Sequence, residues 1–407
     1  MRHEQTGAVL DRAMEEGRGI LRLAPSWVPR SFCRPGRRIR LHPDDYYALG
    51  LGRGAIDERW LSSTTHADNG PGTPEDEGLS YVVDAAGNRA LLTEAVERFR
   101  GALVGKAIYD RFGGWPMFSK FFDNLGPLPH HIHLDEEAAA RVGAQPKPEM
   151  YFFPSQMNNH GGEFPYTFFG LNPGTTRDQV SACLSAFEKG DNGITALSRA
   201  YRLVLDTGWD VPPGILHAPG SLCTYEPQYA SDVLSMFQSV LLGEHVVDSS
   251  LLWKDLPPEQ QGDVNALVSL LDWDKNIDPD FYKNRFMPPL PVRPASEMEE
   301  QGYREEWIGY RCPVVTAKRL TLFPGAQVTL REPVAYGFIA IQGRGQAGVH
   351  AVETPTLIRY GALTRDEYFV SAEAAAAGVA FANTSETEPL VLLMHTAVHP
   401  DRPTTSG

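Results

Sequence analysis

Glycine and proline interrupt this chain so often, with 38 Gly and 32 Pro in 407 residues, that long uninterrupted elements have little room. Such punctuation implies many short strands joined by tight turns. The length favours two or three domains over one and is ample for a large core without covalent staples. Four scattered cysteines, Cys33, Cys183, Cys223 and Cys312, include no Cys-x-x-Cys, so neither a disulfide framework nor a thiolate zinc site is suggested and a reducing cytoplasm fits. A formal charge of -14 disfavours nucleic acid as a partner. The first residues lack the apolar core of a signal peptide, and the longest apolar run, near 389–394, is too short to span a bilayer. A soluble protein without a membrane partner is expected, and its oligomeric state carries no sequence signature.

Residues 1–20 read as a helix, and the next 80 as irregular strands and loops rich in Gly, Pro, Asn and Asp. Thr176 and Gln179 fit a capping box, and Val180, Cys183, Leu184 and Phe187 follow at i, i+3, i+4 and i+7, which predicts a helix. Further helices are predicted over 194–205 and 255–272, the latter opening on Pro257 and Pro258. Pro288, Pro289, Pro291 and Pro294 mark a connector. Beyond about residue 305, β-rich runs such as 317–329 and Tyr336–Gln342 alternate with turns, predicting a second sandwich or barrel. The G-x-G-x-x-G of 343–348 precedes a β-run rather than a helix, so it reads as a hairpin turn and not as a dinucleotide loop.

The chemistry concentrates around His130, His131 and His133. In an extended strand His131 and His133 share a face about 7 Å apart, while His130 points away and reads as structural. Glu149 opens an aromatic, strand-like run, and Pro212, Pro213 and Gly214 force a turn that could deliver His217 to the same place. Three imidazoles and a carboxylate suit one divalent ion, with zinc, iron, manganese, cobalt or nickel favoured over calcium or magnesium. His160, in an Asn-Asn-His-Gly-Gly loop, reads as a turn residue or as part of a substrate mouth. The basic cluster of Arg30, Arg34, Arg37, Arg38 and Arg40 reads as solvated or acid-paired surface.

Several segments together resemble the class I mannose-6-phosphate isomerases of the cupin superfamily. They are 118–122 (Phe-Ser-Lys-Phe-Phe), 127–133 (Pro-Leu-Pro-His-His-Ile-His), 147–149 (Lys-Pro-Glu) and 213–217 (Pro-Gly-Ile-Leu-His), with Glu226, Ser231 and Asp232 downstream. The stretch 56–60, ending in Trp60, is similar to that family's acidic-x-Trp element. The resemblance implies a mainly β fold of two cupin (jelly-roll) barrels: a metal-binding domain over 1–295 with a helical insertion at about 172–210, and a metal-free cupin-like domain over 296–407. The family's Gln, His, Glu and His zinc ligands carry over to His131, His133, Glu149 and His217, the first departing from Gln. A family arginine falls at Met236, and a phosphate-holding serine at Pro129.

The function so implied is interconversion of an aldose and a ketose through a cis-enediol. That reaction needs an electrophile beside O1 and O2, and an acid/base group on the carbon face. Lys147 and Glu226, supported by Asp232, are the candidate acid/base groups. Lys120 and Trp60 are candidate substrate contacts. Because Met236 and Pro129 replace polar residues, the sugar can be free, phosphorylated or otherwise modified. Two alternatives stand beside the isomerase: a metal-dependent cupin oxygenase, because the same ligands suit iron and O2 chemistry, and a catalytically silent sugar-binding cupin.

Overall fold

A computed structural model describes residues 2–158 and 165–403. Its strands are short and its sheets antiparallel, and they assemble into two jelly-roll units built from facing sheets. Among the described residues no sheet closes on itself into a continuous barrel. In the first unit a seven-stranded sheet runs in the spatial order Phe286–Met287, Gly208–Val211, Glu149–Phe152, Thr224–Tyr229, Met117–Phe122, Ala55–Leu61 and Ser26–Arg30. The facing five-stranded sheet runs Ser198–Arg202, Tyr166–Leu171, His217–Ala218, His131–Ile132 and Ser235–Met236. Phe122, Tyr151, Trp209 and Val211 from one sheet meet Phe169 from the other and fill part of the space between them.

The second unit has a nine-stranded sheet centred on Val315–Leu322, Leu390–Ala397 and Tyr336–Gln342, and a smaller one containing Gln327–Leu330, Val379–Asn383, Arg344–Ala347 and His350–Glu353. Strand alternation gives the large sheet two buried faces. Leu320, Phe338, Leu392 and Met394 face the unit's own core. Ala317, Ile339, Val391 and Leu393 pack with Phe121, Phe152 and Tyr225 of the first unit. The interface is therefore a continuous apolar layer, with each fully buried large side chain contributing about 1.5–3 kcal/mol. Gly337 sits in this layer, where a Cβ would lie 2.2 Å from His395 Nε2 and from Ser62 Oγ. Glycine here leaves the room that the buried His395 and Ser62 side chains occupy.

Strands from both sides of residue 295 share the large sheet: Ile20–Ala24 pairs with Glu367–Val370 on one edge and with Tyr81–Val83 on the other. Between Met287 and Leu290 the chain passes from the first unit's sheet to the second's. The helix Arg2–Glu16 forms as the sequence predicts, as does Arg177–Ser185 with its reciprocal Thr176–Gln179 cap. The predicted helix over 194–205 does not form. A short 3-10 turn, Ile194–Leu197, leads directly into the strand Ser198–Arg202, because pairing with Tyr166–Leu171 overrides local helix preference. The helix predicted over 255–272 is reduced to Val264–Ser269 after a 3-10 turn at Pro258–Gln260. Helix Leu92–Phe99 forms within the stretch read as irregular strands and loops, and the helices Gly101–Val104 and Lys106–Phe112 follow it. The 343–348 motif turns the chain at both ends, at Gly343 and at Gly348, which opens the hairpin turn to His350–Glu353; Arg344–Ala347 between them is itself a strand.

Candidate metal centre

Between the two sheets of the first unit lie three imidazoles. His217 pairs in register with His131 on the adjacent strand, and His133 follows two residues after His131 on the same face. Their ring centroids are 4.3–5.0 Å apart. One potential ligand atom from each lies within 4.8 Å of the others, all in buried positions. The turn before His217 depends on Gly214, whose φ of 77° is costly for any side-chain-bearing residue. Gly214 N–H donates to His133 O at 2.9 Å, so the turn is tied directly to the strand end carrying the second imidazole.

The imidazoles are oriented by the backbone. His131 Nδ1 lies 2.7 Å from Pro129 O, His133 Nδ1 2.8 Å from Val233 O, and His217 Nδ1 2.8 Å from Ile215 O. A carbonyl only accepts, so each Nδ1 carries the proton and each Nε2 keeps its lone pair. Burial pushes His133 down to about 4 and His131 well below the ordinary histidine range, which keeps the rings neutral as ligands must be. Glu149 reaches in from the opposite sheet, with Oε2 3.1 Å from His133 Nε2 and Oε1 3.2 Å from His217 Nε2. Burial alone would raise its pKa, but Lys147 and His133 outweigh this and hold the carboxylate well below its usual range. Tyr151 O–H donates to Glu149 Oε1. Two atoms directed at the centre, His217 Nε2 and Glu149 Oε2, are buried and make no well-formed hydrogen bond. Three Nε2 lone pairs and a fixed carboxylate converging at one point fit a single divalent metal ion.

A row of alternating charges leads away from this centre along the inner face of the seven-stranded sheet. Lys147 Nζ is 3.0 Å from Glu149 Oε2 and 3.6 Å from Glu226 Oε1. Lys120, opposite Glu226 in register, places Nζ 3.4 Å from Glu226 Oε1 and 3.5 Å from Glu58 Oε1. Arg30 then bridges Glu58 at 3.2 Å and Asp232 at 3.1 Å. Burial, reinforced by Glu149, pushes Glu226 up to about 8 despite the two lysines. Asp232 is the opposite case: burial works against its charge, yet Arg30, Lys254 and the lysines hold it far below the usual carboxylate range. Burial likewise opposes the charge on Lys120, but Glu226 and Glu58 raise it above the ordinary lysine range.

The predicted candidates thus fall into distinct places. His131, His133, Glu149 and His217 converge, with Lys147 and Glu226 beside them. Lys120 extends the row, and Asp232 lies at its far end. Trp60 is fully buried, stacked on Phe118 at 4.4 Å, and its indole N–H donates to Glu58 Oε2 at 2.7 Å. His130 faces away and bonds Gln238 through Nδ1 at 2.7 Å. His160 lies outside the described residues. Arg30 corrects the surface reading of the basic cluster, since its side chain is only 3% exposed and joins the site's charge row. Arg38 is likewise buried against Asp123 at 2.7 Å, and Arg40 donates to carbonyls of the second unit, Pro355 O and Ile341 O. Glu58 was missed as well, although its i, i+2 spacing from Trp60 places both on one strand face.

Fold and centre together define a protein with a cupin-type fold, two jelly-roll units with a three-histidine cluster in the first. No family model matches the chain, and no curated protein matches it. Solved structures do. The mannose 6-phosphate isomerase of Bacillus subtilis aligns with a TM-score of 0.61 at 13% identity, covering 93% of this chain and 99% of its own. A variant of phosphomannose isomerase from Salmonella typhimurium gives 0.62 at 12%, covering 93% and 100%. A zinc-bound mannose 6-phosphate isomerase gives 0.61 at 12%, covering 93% and 99%. At these identities the likeness is one of fold.

Proposed function

We propose that the protein is a metal-dependent aldose-ketose isomerase acting on a carbohydrate. The observation that carries this reading is the placement of Glu226, a buried carboxyl on the same inner sheet face as Glu149, within 3.4 Å of Lys120 and 3.6 Å of Lys147 and beside the three-histidine, one-carboxylate centre. A carboxyl so placed can take a proton from carbon and return it, and burial raises its pKa towards that role. His131, His133, Glu149 and His217 would hold one divalent ion, zinc first among the candidates, which when bound supplies electrostatic stabilisation of charge developing on the sugar oxygens. Glu226 carries the proton between C1 and C2 of a cis-enediol. Lys147, ion-paired with both Glu149 and Glu226, holds the two carboxylates in place. Asp232 acts through Arg30, and Lys120 orients Glu226 from the other side. The known uses of the aligned fold support this reading by analogy.

The electrostatics favour a free or neutrally modified sugar over a 6-phosphate. Arg30, Lys120 and Lys147 are each matched by carboxylates within 3.6 Å, and position 236 is a buried methionine. A dianion would have to compete with those carboxylates for the same cations. The test is proton NMR in D2O of the zinc- or manganese-loaded protein with a panel of aldoses and their 6-phosphates, with His217→Ala as control. Deuterium at C2 together with ketose formation supports the isomerase and ranks the sugars. Absence of exchange with every sugar refutes it, and oxygen uptake by the iron-loaded protein would then support an oxygenase.

A further inference from the structure

The carboxylate of Glu149 is held from both directions along its own strand. Alternation within Glu149–Phe152 puts Tyr151 on the same inner face, and Lys147, two residues earlier, reaches the group from the other side. The two contacts differ in kind. Lys147 Nζ ion-pairs with Oε2 at 3.0 Å, whereas Tyr151 O–H donates to Oε1, since a carboxylate only accepts. Among the described residues that is the one well-formed hydrogen bond the carboxylate makes, Oε2 having none.

Nothing in the packing calls for that hydroxyl. Tyr151 is buried, its ring lies 5.6 Å from Phe122 and 5.8 Å from Phe169, and Trp209 sits opposite it in register. Phe122, Phe153 and Phe169 fill the same apolar cluster with rings that carry no polar atom, so a phenylalanine at 151 would occupy the same space. A hydroxyl buried in such surroundings is costly unless it is bonded, and Glu149 is the partner that accounts for this one.

The last torsion of a glutamate side chain is soft, with broad wells, so its carboxylate turns readily unless a directional bond stops it. An ammonium beside one oxygen is a compact point charge, which fixes where the group sits more than how it is rotated. The phenol supplies the direction. In the observed rotation Oε1 lies 3.2 Å from His217 Nε2 and Oε2 lies 3.1 Å from His133 Nε2, so each oxygen faces one imidazole of the set. We propose that Tyr151 is a positioning residue of the metal centre: its bond to Glu149 Oε1 holds the carboxylate in the rotation that turns its two oxygens to His133 and His217. The proposal rests on reading the cluster as a metal centre, and it adds a residue that acts only through Glu149.

The experiment compares the full-length wild type, Tyr151→Phe and Tyr225→Phe in two readouts: zinc affinity by competition with a chromogenic chelator, and the visible absorption of the cobalt-loaded proteins, which reports ligand geometry. Tyr225 is the control, an equally buried phenol on the adjacent strand whose hydroxyl lies 2.8 Å from His395 Nδ1 at the interface with the second unit, away from the imidazole cluster. Tyr151→Phe keeps the ring, and Glu149 keeps Lys147, so the fold should persist. Removing a residue that orients a metal ligand costs about 10- to 100-fold, so Tyr151→Phe should weaken zinc about tenfold or more and shift the cobalt bands, while Tyr225→Phe stays within about twofold of wild type. An unchanged zinc affinity or an unchanged cobalt spectrum in Tyr151→Phe overturns the proposal and leaves the centre standing. Equal losses in both variants assign the effect to packing and overturn it as well. A wild type that binds neither zinc nor cobalt removes the metal centre itself, and the role of Tyr151 with it.

Discussion

Truncating His217 to alanine isolates the metal centre in a quantity that does not depend on turnover. The wild-type site offers three imidazoles and Glu149, and His217 Nε2 lies 3.2 Å from Glu149 Oε1 with its Nδ1 tied to Ile215 O. Losing a residue that merely orients a metal ligand costs about 10- to 100-fold in affinity, so losing a ligand costs at least about 100-fold. At a free zinc concentration 100 times the wild-type Kd, metal stabilises the native state by about 2.7 kcal/mol. In the variant at the same zinc the ratio falls to about 1 and the stabilisation to about 0.4 kcal/mol. For a chain of this size each kcal/mol corresponds to about 2 °C or less in Tm, so a zinc-dependent gain of about 5 °C should shrink below about 1 °C. Differential scanning fluorimetry with and without zinc reads the increment within each protein, which cancels any loss of apo stability from the truncation itself. His130→Ala is the control, because that equally buried imidazole points away from the centre and bonds Gln238. Equal zinc increments for wild type and His217→Ala, or loss of the increment in His130→Ala, would refute the assignment of these ligands.

Glu226→Gln should abolish carbon-proton exchange by at least about 100-fold while leaving zinc affinity nearly unchanged, since the side chain carries a proton rather than a ligand lone pair. Parallel loss of both by isothermal titration and NMR would show that it holds the metal site together instead. Glu367, buried at the interface, is pushed up to about 7 by burial, with Arg59 partly offsetting and Asp366 adding to the effect. An acid whose folded pKa exceeds its ordinary 4.5 keeps a proton that the unfolded chain has released, so stability is greatest below that value and falls as pH rises to about 7. The change is about 3 kcal/mol at most, and Glu367→Gln should flatten it in urea titrations across this window; an unaltered slope would assign the dependence elsewhere. Gly337→Ala should destabilise by about 1–3 kcal/mol or more, since its Cβ would fall 2.2 Å from His395 Nε2. An unchanged Tm would mean that the interface is loosely packed.

The ligand set was legible in the chain because it follows local rules. Alternation puts His131 and His133 on one face, and Pro213 and Gly214 announce the turn before His217. Helix Arg177–Ser185 was legible for the same reason, its cap and its apolar spacing both lying within a few residues. By contrast, Ser198–Arg202 became a strand because of its partner strand, and Arg30 became part of the site because the fold brings it to Asp232, 202 residues away in sequence. No local pattern encodes either contact.

The sequence by itself thus determined the short-strand architecture and which histidines come together in the first unit, since backbone alternation and turn chemistry act over a few residues. The tertiary structure alone decided how charge is distributed around that centre. Burial is what raises Glu226, and the pairing of Arg30 with Glu58 and Asp232 is what leaves no unmatched cation in the row. It also placed strand Ile20–Ala24 in the second unit's sheet. Desolvation and long-range pairing depend on what surrounds a group in space, and that is fixed only when distant segments have packed.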